Sequence, residues 1–146
     1  MEQVKQRIKE HEGFRDTVYS DSLGFATVGY GHLVLPTDHF VEGIEYSKDE
    51  LEAVFDNDFE IALLSAEELL EEIDLPELDL KLTIKSIICE MCFQLGKPRV
   101  MKFKKMWEGI EEADYNKAAD EMIDSNWHSQ TTSRCESLAE LMRSCA

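Results

Sequence analysis

HEGFRDTVYSDSLGFATVGYGHL, residues 11–33, is where this chain changes its hydrophobic period. Ahead of it, Val4 and Ile8 lie four apart in an otherwise polar segment, which predicts a short amphipathic helix over 2–11. Gly13 stands where such a helix stops, because glycine accepts the backbone turn that ends one. Phe14, Val18 and Tyr19, then Phe25, Thr27 and Val28, are strand formers on either side of Asp21-Ser-Leu-Gly24, which is a hairpin pattern. A third short strand is expected through Leu33 and Val34, with Pro36 and Asp38 opening a loop.

Beyond the loop the period returns to that of a helix. Ser47-Lys-Asp-Glu50 is a capping box, a serine followed three residues later by a glutamate. Leu51, Val54, Phe55, Phe59, Ala62, Leu63, Ala66, Leu69 and Leu70 then recur at helical spacing. They predict a helix of about twenty residues, longer than the usual ~11–12. Further helices are expected over 82–95, 98–112, 115–124 and 133–144, with Gly96-Lys-Pro98 and Asn126 marking breaks. A hairpin, a long helix and an all-helical remainder make an α+β chain.

With 146 residues, this is one domain or two small lobes sharing a core, and it is long enough to fold without staples. It is 43% hydrophobic and 32% charged, with a mean hydropathy of −0.34. No apolar run approaches the ~18–20 residues that span a bilayer. The opening MEQVKQRIKEHE has no apolar core, so no secretory signal is expected and a cytosolic site of synthesis is. Cys89 and Cys92 lie three apart in a helical pattern and read as core thiols. Cys135 and Cys145 have no ligand partners at zinc spacing, so no metal site is expected.

The net charge of −16 is unevenly placed. Residues 45–79 hold fourteen acids against Lys48 alone, a net −13. Residues 81–105 hold seven bases against Glu90 alone, a net +6. So small a basic patch on so acidic a chain is a poor footprint for nucleic acid, and that class of partner is set aside.

The opening stretch carries the chemistry. Cleaving a glycosidic bond takes two acidic groups, one protonated to help the leaving group and one ionised to direct water. Glu12 ends the first helix, Asp21 sits in the hairpin turn, and Thr27 carries a hydroxyl on the second strand. Nine residues apart, the two acids meet only if the chain folds back at a helix-to-hairpin junction. Each also has an ordinary reading: a solvated helix-end acid, a turn aspartate and a strand threonine.

The Glu12, Asp21 and Thr27 spacing, with Gly24, Gly29, Gly31, His32 and Leu33 around it, resembles the phage-type lysozymes of glycoside hydrolase family 24, the T-even type among them. The likeness resumes in Ser47-Lys-Asp-Glu50 with Phe55 and Asp58, in Met91-Cys-Phe-Gln-Leu-Gly96 and Phe103, and in Ser125-Asn-Trp-His-Ser-Gln-Thr131 with Arg134. It implies a lysozyme-like α+β fold: a small lobe over 12–58, a connecting helix over 48–70, and a helical lobe from 1–11 and 70–146, with the cleft between the lobes. It implies hydrolysis of the β-1,4 bond between N-acetylmuramic acid and N-acetylglucosamine in bacterial peptidoglycan, with inversion and with no cofactor. Glu12 would be the general acid, Asp21 would direct the water and Thr27 would help hold it. Arg134 matches an arginine that pairs with the catalytic glutamate. His32 and Asp58 match an ion pair between the hairpin and the long helix, with a water-bonded strand-end histidine as the lesser alternative for His32. Leu33, Phe93 and Gln94 match residues lining the cleft, and Trp127 is expected in the core rather than as a sugar platform.

The same resemblance implies a monomer held in the host cytoplasm and let through to the cell wall at lysis by a holin-type, membrane-permeabilising partner. The alternative is a virion-associated or scaffold copy of the fold that binds wall with little turnover. This chain departs from the family in a loop between Leu33 and Ser47 shorter by about a dozen residues, and in Met106 and Glu121 at two positions of polar saccharide contact. The charge segregation suggests that the basic run meets stem-peptide carboxylates while the acidic helix faces solvent.

Overall fold

A computed structural model describes all 146 residues as two compact units, residues 1–61 and 62–146. It has eight helices and one three-stranded antiparallel sheet, the helix-dominated α+β architecture expected.

In the first unit, α1 spans Glu2–Glu12 and buries Val4 and Ile8. It ends at Gly13, whose N–H bonds the Lys9 carbonyl at 3.0 Å. The strands are β1 (Arg15–Ser20), β2 (Ala26–Gly29) and β3 (His32–Leu33), so the third begins one residue earlier than the apolar pattern indicated. The register pairs Tyr19 with Thr27, Thr27 with Leu33, and Val28 with His32. α2 runs Lys48–Leu70 and buries Leu51, Phe55, Phe59, Ala62, Ala66 and Leu70, a stripe three or four residues apart. Residues 48–61 of it belong to the first unit. There Val28, Phe40 and Leu51 form a small core with Val18, Val34, Tyr46 and Val54 against it.

Half of the capping box forms. Glu50 N–H donates to Ser47 Oγ at 3.2 Å, but the Glu50 carboxylate turns to His39 at 2.7 Å instead of back to the cap. His39 also packs on Phe40, with ring centroids 4.3 Å apart, and Tyr46 N–H bonds the Asp16 carbonyl at 2.9 Å. The loop between β3 and α2 is therefore closed on aromatic rings and tied to the edge of β1.

His32 is clasped by two carboxylates, with Nδ1 2.7 Å from Asp58 Oδ2 and Nε2 2.9 Å from Asp38 Oδ2. The bond to Asp58, and after it the bond to Asp38, outweigh burial and raise its pKa above 6.5. The Leu35 N–H first, and His32 after burial, hold Asp38 below its ordinary value. A raised histidine stabilises the fold fully below pH ~6.5 and loses that contribution as pH climbs through its folded value. The lowered Asp38 loses its share as pH falls through its own. His32→Asn is therefore expected to cost about 1–3 kcal/mol at pH 6 and to flatten the alkaline decline of the thermal midpoint. Melting curves from pH 5 to 9 check this, and parallel declines in the two proteins would reject it.

The second unit contains α3 (Leu78–Leu95), α4 (Lys97–Met101), α5 (Lys104–Glu111), α6 (Tyr115–Ile123), α7 (Asn126–Gln130) and α8 (Thr132–Arg143). The single helix expected over 98–112 is two. The chain breaks at Lys102–Phe103, where Phe103 N–H takes the Val100 carbonyl in a tighter turn. Phe103 packs edge-on against Trp127, with centroids 6.0 Å apart, and Trp107 Nε1 donates to the Val100 carbonyl. The break spends helix hydrogen bonds on aromatic packing. α7 is one turn that carried no periodic signal; it is capped by Ser125, whose Oγ accepts from the His128 N–H. Cys89 and Cys92 are buried in α3, and burial pushes the Cys92 thiol up to about 12.

The acidic and basic runs are not fully segregated. Lys85 pairs with Glu67 at 3.1 Å and Lys97 with Glu68 at 3.3 Å, so two bases neutralise the end of the acidic helix.

Candidate active site

The residues singled out in the hairpin are bound into one hydrogen-bonded turn. Asp21 Oδ1 accepts from the N–H groups of Leu23 and Phe25, both at 2.9 Å. The Phe25 carbonyl in turn accepts from the Asp21 N–H at 2.9 Å and from the Thr27 hydroxyl at 3.0 Å. Phe25 thus joins the aspartate to the threonine, although its own side chain is exposed. Asp21 plays the turn role that its residue type suggests, yet both of those bonds use Oδ1 and leave Oδ2 outside the turn's bonding. Thr27 is buried on β2, and its hydroxyl hydrogen is committed to Phe25. Its oxygen can therefore act only as an acceptor toward anything else.

Glu12 is the last residue of α1 and is partly buried. Its carboxyl lies against Gly31, in the turn between β2 and β3. A Cβ on Gly31 would stand 2.7 Å from the Glu12 carboxyl carbon. Tyr19 lies on β1, between the two acids in the chain. Its pKa is raised, first by burial and then by the negative charges of Glu12 and Asp21, while Arg15, 4.8 Å from the ring, works the other way. By residue type Tyr19 reads only as a strand former.

The remaining site candidates fall as follows. Leu33 is the strand partner of Thr27, and its side chain is about half exposed. His32 and Asp58 are in contact, as described above. In the second unit, Phe93 and Gln94 are partly buried near the end of α3. Gln94 uses both ends of its amide internally: Oε1 accepts from Trp127 Nε1 at 3.0 Å, and Nε2 donates to Thr131 Oγ1 at 2.9 Å. It anchors α7 and the start of α8. Trp127 is only 1% exposed, which puts it in the core. Arg134 is a buried cation on α8.

The second unit also holds a concavity of about 340 Å³. Arg99, Lys102, Lys104 and Lys105 line it, with Glu121 and Asp124 among them, so bases outnumber acids four to two. Arg99 is already bonded to Gln130 at 2.7 Å.

Comparison with known proteins points one way. The model of the phage lysozyme family matches residues 9–143. Probable T4-type lysozyme 2 of Dictyostelium discoideum is 30% identical over 150 residues, which cover 90% of this chain and 88% of that protein. Probable T4-type lysozyme 1 of the same organism is also 30% identical, over 151 residues with the same coverage. The pre-baseplate central spike protein Gp5 of Enterobacteria phage T4 is 28% identical over 151 residues, covering 90% of this chain but 26% of the spike protein.

Proposed function

Because the chain belongs to the phage lysozyme family, we propose that it is a lysozyme that hydrolyses the β-1,4 bond between N-acetylmuramic acid and N-acetylglucosamine in peptidoglycan. The observation that supports this reading is the junction itself: Glu12 at the end of a helix with its carboxyl against Gly31, and Asp21 and Thr27 bonded through Phe25. Glu12 protonates the glycosidic oxygen as the bond breaks. A water donating one hydrogen to Asp21 Oδ2 and the other to Thr27 Oγ1 keeps a lone pair for the anomeric carbon. Two N–H donors on Oδ1 fix the aspartate for that task. Attack by such a water inverts the anomeric centre and forms no covalent sugar–enzyme intermediate. Arg134, Phe93 and Gln94 enter this reading by family resemblance, as does release at lysis by a membrane-permeabilising partner. No helix is long and apolar enough to cross a membrane.

The test is digestion of purified sacculi, with the soluble muropeptides read by mass and by end group. Reducing N-acetylmuramic acid ends are expected, and 1,6-anhydro ends would make the reaction a transglycosylation. One observation favours a second reading. A stretch similar to this chain forms 26% of a phage spike protein, so a virion-associated copy that binds wall with little turnover is the alternative. Sacculus binding without any muropeptide release would select it.

The excess of bases over acids around the concavity supports attraction of an anionic wall polymer such as a carboxylated stem peptide. Lys97 and Arg99 already have partners, so the discriminating variant replaces Lys102, Lys104 and Lys105 with Ser. Its kcat/KM on sacculi is expected to fall about tenfold at low ionic strength, and hardly at all at high, because steering is screened by salt. An unchanged salt profile would remove the basic run from substrate capture.

A further inference from the structure

Glu52 lies one helix away from the candidate acid, yet it bonds both the helix that ends in Glu12 and the residue next to the glycine that the Glu12 carboxyl lies against. Its Oε2 is 2.8 Å from Lys9 Nζ, and its Oε1 accepts from the Tyr30 hydroxyl at 2.9 Å. Lys9 is three residues before Glu12 on the last turn of α1. Tyr30 immediately precedes Gly31, the residue against which the Glu12 carboxyl lies. A single carboxylate on α2 therefore tethers the helix end that carries Glu12 and the turn that supports its side chain.

The tether is well buttressed. Lys9 Nζ sits 5.1 Å from the Tyr30 ring centroid and 4.9 Å from that of Phe55. Tyr30 also packs between Phe14, with centroids 4.9 Å apart, and Phe55, at 5.4 Å. Phe14 is two residues after Glu12, so the chain is pinned to Tyr30 on both sides of the acid. The bond to Glu52 raises Lys9 above its ordinary pKa, and the same bond holds Glu52 below its own, so both are charged around neutrality. The side chains of Lys9 and Glu52 are 24% and 31% exposed. Charge-assisted bonds between partly buried groups are stronger than neutral ones, and the aromatic rings limit where the ammonium can move.

We propose that Glu52, through Lys9 and Tyr30, is a positioning residue that sets the Glu12 carboxyl against Gly31 in the geometry required for proton donation. The proposal rests on the lysozyme reading. Glu52 touches neither substrate nor reacting atom. Its effect is on where Glu12 points, and so on kcat rather than on affinity for the wall.

The experiment measures kcat and KM on solubilised peptidoglycan for wild type, Tyr30→Phe, Lys9→Met and Lys9→Arg, with thermal midpoints alongside. Tyr30→Phe keeps the ring packing and removes one hydroxyl, so it retains the fold. Tyr30→Phe and Lys9→Met are expected to lower kcat about tenfold with KM within twofold, a fraction of the ~10²-fold that an ångström of misplacement costs. Lys9→Arg, which can still bond Glu52, is expected to recover most of kcat. If wild type is active and both Tyr30→Phe and Lys9→Met keep its kcat, the positioning role is overturned and the lysozyme reading stands. If kcat falls only in step with the thermal midpoint, or Lys9→Arg is as poor as Lys9→Met, the clamp is structural and the role is again overturned. If wild type itself releases no muropeptides, the lysozyme reading fails and takes this role with it.

Discussion

Glu12→Gln is expected to lower muropeptide release by about 10²–10⁴-fold, the range that general acid catalysis supplies, while leaving a folded protein that still binds sacculi. Glutamine matches glutamate in size and keeps a hydrogen-bonding end against Gly31, but it has no proton to give the glycosidic oxygen. The comparison that gives this result meaning is Asp21→Asn. That variant can still accept from the Leu23 and Phe25 N–H groups through its side-chain oxygen, so the turn survives. What it loses is the anionic oxygen proposed to direct water. Both variants should therefore be folded and impaired, with Glu12→Gln the worse wherever the leaving group most needs a proton. Muropeptide release by Glu12→Gln at the wild-type rate would take the acid role away from Glu12 altogether.

How much of this was legible in the sequence follows from which forces act locally. The change of period at Gly13, the hairpin around Asp21 and the 51–70 stripe come from backbone preference and side-chain burial, and all three appear in the structure. Less was visible where a distant partner decides. The helix expected over 98–112 breaks at Phe103 because Trp127, 24 positions later, provides an aromatic surface. Glu50 leaves its capping role because His39 sits close by across a loop closed on Tyr46. In the candidate site, the types of Glu12, Asp21 and Thr27 were conspicuous, but the Phe25 carbonyl that joins two of them has no signature, since any residue carries one. Likewise nothing in Glu52, one acid among fourteen in its segment, set it apart before the hairpin and first helix were placed against α2.

Gly31→Ala should separate the geometry of the acid from its chemistry. Gly31 has φ +72°, a left-handed conformation that costs an L-residue roughly 1–2 kcal/mol. The new methyl would also stand 2.7 Å from the Glu12 carboxyl carbon, closer than such atoms approach, and a tight 3.2 Å from its Cγ. What it meets is the end of a side chain rather than backbone, so the fold survives while the carboxyl swings away. The expected result is a thermal midpoint lower by several degrees, about what 1–2 kcal/mol produces in a chain of this size, together with about 10²-fold lower kcat, because a displacement near an ångström is enough. Gly43→Ala is the control. Gly43 has φ +84° and nothing within 4 Å of a built Cβ, so it bears the backbone cost without the collision. Gly43→Ala should melt earlier by a similar amount and keep its activity. Equal activity losses in the two variants would mean that backbone strain in the first unit, and not displacement of Glu12, limits the reaction. Full activity in Gly31→Ala would mean that Glu12 has a second productive arrangement, and that its contact with Gly31 is packing alone.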